Sequence, residues 1–142
     1  MHPENSPLPI PVLLDQLKAP ERSVRLQAAA TLGALGANAK PAIPALIEAL
    51  RDPDAHVRKM AALTLGDMGP AAAAAVSALI EALHDEHKSV RRRAALALGD
   101  IGAGQALPAL QEALHDASRG VGETAGWALK EIEQAMRKAK AS

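Results

Sequence analysis

The sequence predicts an all-α protein, a right-handed α-solenoid of four stacked helical hairpins, and three observations carry that prediction. A frame V-R-x-x-A-A-x-x-L-G-x-x-G is written as VRLQAAATLGALG from Val24, VRKMAALTLGDMG from Val57 and VRRRAALALGDIG from Val90, in steps of 33 residues. A shorter apolar element precedes each copy: PVLLDQL from Pro11, PALIEAL from Pro44, SALIEAL from Ser77, and PALQEAL from Pro108 ahead of a fourth, diverged copy. Both elements have the helical period, with Leu46, Ile47 and Leu50 on one face of the first and Val57, Ala61, Leu65 and Met68 on one face of the second.

Taken in order, the pattern places helices near 9–18, 22–35, 41–51, 54–68, 71–84, 87–101, 105–115 and 118–138. They group into repeats of about 10–40, 41–73, 74–105 and 106–138, one domain over 10–138. Breakers fall where a hairpin must turn: Asp52-Pro53-Asp54 inside a repeat, where Asp54 can cap the next helix, and Gly69-Pro70 between repeats. The last step shortens to 31, and VGETAGWALKEIE keeps Val121, Ala125 and Leu129 but loses the arginine and the closing glycines. The charged continuation EIEQAMRKAKAS fits the polar face of a terminal cap, so the chain reads as a complete domain. Residues 1–9, with Pro3, Pro7 and Pro9, read as an extended Pro-rich arm.

Repetition has a physical reason: a lone hairpin cannot bury its apolar face, whereas stacked hairpins share one core. Gly33, Gly66 and Gly99 stand inside the second helix of their repeats, at a cost of about 1 kcal/mol each against alanine. Close approach of a neighbouring helix is the expected compensation.

Composition narrows the function classes. The 142 residues are 49% hydrophobic and 23% charged, enough for a globular core, yet Phe and Tyr are absent and Trp127 is the one aromatic residue. Sixteen basic and sixteen acidic residues cancel, which leaves no global field for nucleic acid or an anionic membrane. The absence of cysteine removes disulfides, thiolate metal sites and a cysteine nucleophile. No signal peptide and no run of apolar residues long enough to span a bilayer is visible, so a cytoplasmic location without membrane contact is expected.

The words D-x-x-x-x-V-R-x-x-A-A-x-x-L-G, from Asp52 and again from Asp85, resemble the short HEAT-like repeats of phycobilin lyase subunits. The resemblance covers about residues 10 to 136. It implies a helical repeat fold whose second helices line a concave surface, and for most members an interaction scaffold. Di-iron HEAT-like hydroxylases resemble the chain in fold but use His-Glu pairs in the second helix. This sequence has no His-Glu dipeptide, and Arg92-Arg93 stands in the corresponding place. That activity is therefore not expected.

Among charged residues, Arg25, Arg58 and Arg91 open the second helices, while Asp52, Asp85 and Asp116 end the turns before them. Repeat one has Ala19 where an aspartate belongs, and repeat four has Gly122 where an arginine belongs. Losses at opposite ends predict pairing across repeats: Arg25 with Asp52, Arg58 with Asp85, Arg91 with Asp116. We read this as a structural ladder. His84 and His115 occupy equivalent sites, but the helix dipole accounts for both without a metal. No serine lies in a G-x-S-x-G word and no glycine-rich phosphate loop exists, so the expectation is a chain that is not an enzyme, with no cofactor and no metal.

Function is expected on the second-helix face. Six positions after each frame valine stand Ala30, Leu63, Leu96 and Trp127, an apolar column flanked by Gln27, Met60, Arg93 and Thr124. On one side run Leu26, Lys59, Arg92 and Glu123, and on the other Ala34, Asp67, Asp100 and Glu131. Leu63 and Leu96 read equally well as packed between helices, and Trp127 as a cover for the end of the core. An indole is nonetheless easier to place on an open groove than inside a tight repeat, and there it is the kind of residue that anchors a partner. The candidate partner site is therefore Met60, Leu63, Leu96 and Trp127, with Lys59, Arg92 and Arg93 on one edge and Asp67, Asp100 and Glu131 on the other, binding a protein or peptide. The alternative is a small nucleic-acid module using Lys88, Arg92 and Arg93.

Overall fold

The computed structural model describes residues 9–141, and the predicted arm over residues 1–9 lies outside them except for Pro9. Among the described residues all regular structure is helical. Four seven-residue helices, α1 (Ile10–Gln16), α3 (Ile43–Ala49), α5 (Val76–Ala82) and α7 (Leu107–Ala113), alternate with longer ones: α2 (Arg22–Leu35), α4 (Ala55–Asp67), α6 (Lys88–Ile101) and α8 (Arg119–Ala141). Each short helix packs on the long helix that follows it, and the long helices stack in the order α2, α4, α6, α8.

The sequence placed the first helices of repeats two to four at 41, 71 and 105, but the α-helices begin at Ile43, Val76 and Leu107. Tight 3-10 turns occupy Gly36–Ala42, Gly69–Ala75 and Gly104–Ala106 instead. The first two are kinked at Ala39 and Ala72, whose dihedrals are not helical, and Ala39, Ala42, Ala72 and Ala75 all enter the core at 0% exposure. Alanine propensity favours an α-helix over 71–75, and burial of Ala72 and Ala75 overrides it. The third connection is the short one, which is where the step of 31 loses its residues. At the other end α8 runs on to Ala141, past the predicted stop at 138.

The frame glycines meet their neighbours closely. A Cβ at Gly66 would stand 3.0 Å from the Ala97 Cα, and one at Gly99 would stand 3.0 Å from the Ala128 Cα. At Gly33 the neighbour is the Thr64 hydroxyl, 2.9 Å from such a Cβ. The second glycine of the frame has a different duty: Gly69 turns the chain out of α4 at φ +61, in the left-handed region that costs glycine least.

One core runs the length of the stack, from Leu13 through Leu32, Leu46, Leu65, Leu79 and Leu98 to Leu110 and Ile132, all fully buried. A buried hydroxyl joins it: Thr64 of α4 donates to the Ala29 carbonyl of α2 at 3.1 Å. This link between helices has no counterpart in the sequence reading.

Candidate functional site

The charged frame residues form rungs between hairpins. Arg25 donates through Nε and Nη2 to both carboxylate oxygens of Asp52 (2.9 and 3.2 Å), Arg58 to those of Asp85 (2.8 and 3.2 Å), and Arg91 to those of Asp116 (2.8 and 3.0 Å). The remaining Nη1 of each arginine reaches back to its own turn: to Ala19 and Pro20 O from Arg25, to Asp52 and Pro53 O from Arg58, and to Asp85 and Glu86 O from Arg91. Each aspartate also accepts from the backbone two residues on, at Asp54, His87 and Ser118. One side chain thus closes a turn and ties it to the helix before it. Gly122, at the arginine position of repeat four, needs its missing side chain for another reason, since a Cβ there would stand 2.9 Å from Leu114 O.

Electrostatics agree with a settled ladder. Burial alone would raise the Asp85 carboxyl, but the hydrogen bonds from Arg58 and the His87 N–H outweigh it and hold the group below the usual range. At Asp116 the Arg91 hydrogen bond is the largest influence and acts in the same direction. An extra exposed rung links Arg22 to Asp54 at 2.8 Å, while Asp54 caps α4 by accepting from Val57 N.

The apolar column lies on the long helices with graded exposure. Met60, Leu63 and Leu96 are half-buried, and Trp127 is 38% exposed. Leu96 and Trp127 come together in an open depression of about 300 Å³ between α6 and α8, completed by Glu123 and Thr124. Met60 and Leu63, one repeat earlier, do not line it. The indole leans across α6: a Cβ on Gly99 would stand 2.5 Å from the Trp127 Cζ3. Trp127 thus packs over the backbone of α6 at Gly99 and lines the depression with Leu96.

At the edges, Asp67, Asp100 and Glu131 are exposed and form a row across α4, α6 and α8. Burial raises the Asp100 carboxyl above its ordinary range, and the charges of Asp67 and Glu131 raise it further. On the opposite edge Lys59 and Arg93 are half-buried, while Arg92 and Lys88 are exposed. Glu123 and Thr124, neighbours of the column in the sequence, complete the lining of the depression. Their signal was adjacency to Trp127 by one helical turn. Among the described residues no group of three or more His, Cys, Asp or Glu side chains is placed to hold a metal. No helix is long and apolar enough to cross a membrane.

Comparison with known proteins places this geometry. Human deoxyhypusine hydroxylase, solved in complex with glycerol, superposes with a TM-score of 0.75 at 28% identity, over 92% of this chain and 45% of that one. The complex of CpcE and CpcF of phycocyanin lyase from a Nostoc species superposes at 0.73 with 25% identity, over 83% of this chain and 78% of that one. A designed armadillo repeat protein in complex with the peptide (KR)4 superposes at 0.74 with 21% identity, over 84% of this chain and 62% of that one, a likeness of fold. The chain therefore spans less than two thirds of the human enzyme and of the designed protein. Among curated proteins no sequence match is found. The family model for HEAT repeats matches residues 10–77 and again 76–141, almost the whole described chain, and with the ladder and the stacked hairpins in view the chain belongs to the HEAT-repeat family.

Proposed function

We propose that this chain is a non-enzymatic scaffold that binds a partner protein or peptide on the face formed by its long helices. The observation that carries the proposal is Trp127, the one aromatic side chain, left 38% exposed above a depression it shares with Leu96. A partly exposed indole beside an open depression shared with Leu96 is the kind of aromatic residue that anchors an interface. Charged edges on both sides would fix the direction of a bound segment. HEAT repeats commonly serve protein binding, and the two neighbours solved as complexes, with a peptide and with a second subunit, support the same use here.

The absence of enzymatic activity belongs to the proposal. The sequence holds no G-x-S-x-G word and no glycine-rich phosphate loop, and Arg25, Arg58 and Arg91 are committed to the ladder. Arg91, in the middle of the basic run, is bound to Asp116, which leaves Lys88, Arg92 and Arg93 as a small patch on a chain of zero net charge. That patch is too small to carry a nucleic-acid reading above the peptide reading.

Photocrosslinking tests it. A photoreactive side chain at position 63 or 96 should capture a partner from the source organism, and one at position 48 or 81 on the short helices should not. The purified partner should then lose affinity for a Trp127→Ala chain. Crosslinks from the short helices alone, or an unchanged Kd for the variant, would overturn the proposal.

A further inference from the structure

The binding face can be assigned an occupant, an inference that rests on the scaffold reading above. The Trp127 depression is lined by Leu96, Glu123, Thr124 and the indole itself. It offers apolar surface and a carboxylate, no cation lines it, and the Thr124 hydroxyl already donates to Gly120 O at 2.9 Å. The Glu123 ion pair, with Arg119 at 2.8 Å, is exposed on both sides, and such pairs exchange readily because water competes for both partners.

On its other side the indole reaches Gly99, the residue before Asp100. Glu131 follows Trp127 by one turn of α8 and so shares its face. Asp100 feels the charge of Glu131 from one side and of Asp67 from the other. None of these three carboxylates makes an ion pair among the described residues. An indole flanked by unpaired carboxylates matches an organic cation: the ring attracts an ammonium or guanidinium group, and the carboxylates accept charge-assisted hydrogen bonds from it. A bound cation would also relieve the like-charge repulsion along the row. An acidic segment would have to place its anchor beside Glu123 and that row.

We propose that the Trp127 depression and the Asp67, Asp100 and Glu131 row bind a basic peptide segment, with one Lys or Arg side chain stacked on the indole and others spaced along the row. Stacked helices lie roughly 8–10 Å apart, so the rungs of the row repeat at about that distance. A polyproline II segment presents every third side chain on one side at about 9.3 Å. The spacing therefore selects a segment with a basic residue at every third position. Lys59, Arg92 and Arg93 on the opposite edge keep the basic side of the segment turned toward the carboxylates.

The test uses three nonapeptides with arginine, glutamate or glutamine at every third position and alanine and proline between. Trp127 is the one aromatic residue in the chain, so its emission reports the depression directly. The arginine peptide should shift that emission saturably. Asp100→Asn and Glu131→Gln should each weaken its binding by up to about fivefold, the upper end for an exposed charge pair. Glu48→Gln and Glu112→Gln, on the short helices, should leave it unchanged. Trp127→Leu, which installs the residue of repeats two and three, should weaken binding of a labelled arginine peptide while the chain stays folded. Equal losses from Glu48→Gln would overturn the proposal, as would an arginine peptide that binds no better than its glutamine counterpart, or a random DNA duplex that displaces it through Arg92. If the glutamate or glutamine peptide shifts the emission and the arginine peptide does not, the cationic occupant falls and the scaffold reading stands. Crosslinks confined to the short helices would remove the scaffold reading itself.

Discussion

Trp127 of α8 lies over Gly99 of α6, so closely that a Cβ on the glycine would stand 2.5 Å from the ring atom Cζ3 and 3.0 Å from the Ala128 Cα. Gly99→Ala gains about 1 kcal/mol of helix propensity, yet the ring must move and the α6 and α8 backbones must separate. The overpacking should win, with a net loss of about 1–2 kcal/mol in chemical denaturation. In a Trp127→Leu background the loss should shrink, because one of the two clashes is gone. An additive double variant would show that the indole does not rest on Gly99.

The ladder predicts a different pattern. Removing Asp85 with Asp85→Ala leaves the largely buried Arg58 with only the exposed Glu86 carboxylate at 3.7 Å and the His87 N–H without its acceptor. A loss of about 1–3 kcal/mol is expected from the stranded partners. Arg58→Lys should recover only part of the wild-type stability, since an ammonium cannot bridge both oxygens of Asp85 and the Asp52 carbonyl together. Full recovery by lysine would reduce the rung to a simple charge pair.

Two groups of carboxylates should respond to pH in opposite directions. Asp85 and Asp116 have lowered folded-state pKa values. Their stabilisation is therefore present above the unfolded aspartate value and is lost as pH falls through the folded value. Asp100 is raised by burial and by Asp67 and Glu131, so its cost appears as pH rises above the unfolded value and is complete beyond the folded one. Asp100→Asn should raise the melting temperature at pH 7 and leave it unchanged near pH 3. The size is a few tenths of a kcal/mol, because solvent screens an exposed group. Stabilisation that persisted at pH 3 would mean that the effect is not electrostatic.

Thr64 shows where the sequence stopped being legible. The valines, alanines and leucines of the frame announce their burial by period, and the ladder was readable because Ala19 and Gly122 lose opposite members of a rung. Thr31 and Thr64 occupy the same frame position, yet Thr31 donates to Gln27 O in its own helix while Thr64 crosses to Ala29 O. The difference is that α2 lies before α4 in the hairpin stack, a fact of neighbours that residue type does not record. The 3-10 turn over Gly69–Ala75 was hidden for a similar reason, since five alanines favour an α-helix until the packing of Ala72 and Ala75 is known. For Trp127 the sequence supplied the position. It could not supply the rotamer that lays the ring over Gly99.

Thr64→Val keeps the shape and removes the hydroxyl. The Ala29 carbonyl then loses a donor inside the core. A loss of about 1 kcal/mol is expected, with Thr64→Ser costing less if the bond is what matters. A serine variant that is less stable than the valine variant would assign the role of Thr64 to packing alone.

The binding proposal turns on separating affinity from folding. Trp127→Ala would open space beside Gly99 as well as strip the depression, so its effect on stability and on binding would mix. Trp127→Leu is cleaner, because leucine stands at the same frame position as Leu63 and Leu96 and packs on α-helices of the same kind. It retains apolar cover over Gly99 and gives up the wide aromatic face. Hot-spot aromatics are worth at least about 2 kcal/mol when truncated, so the Kd for the captured partner should rise about tenfold or more, while the melting temperature moves by only a few degrees. Titration of the purified partner against both chains, with denaturation curves measured in parallel, decides the matter. If the leucine variant binds as tightly as the wild type, the aromatic face is not the anchor. If its weaker binding only follows a loss of folded protein, Trp127 is a cap on the stack, and the binding centre must be sought at Leu63 and Met60 on α4.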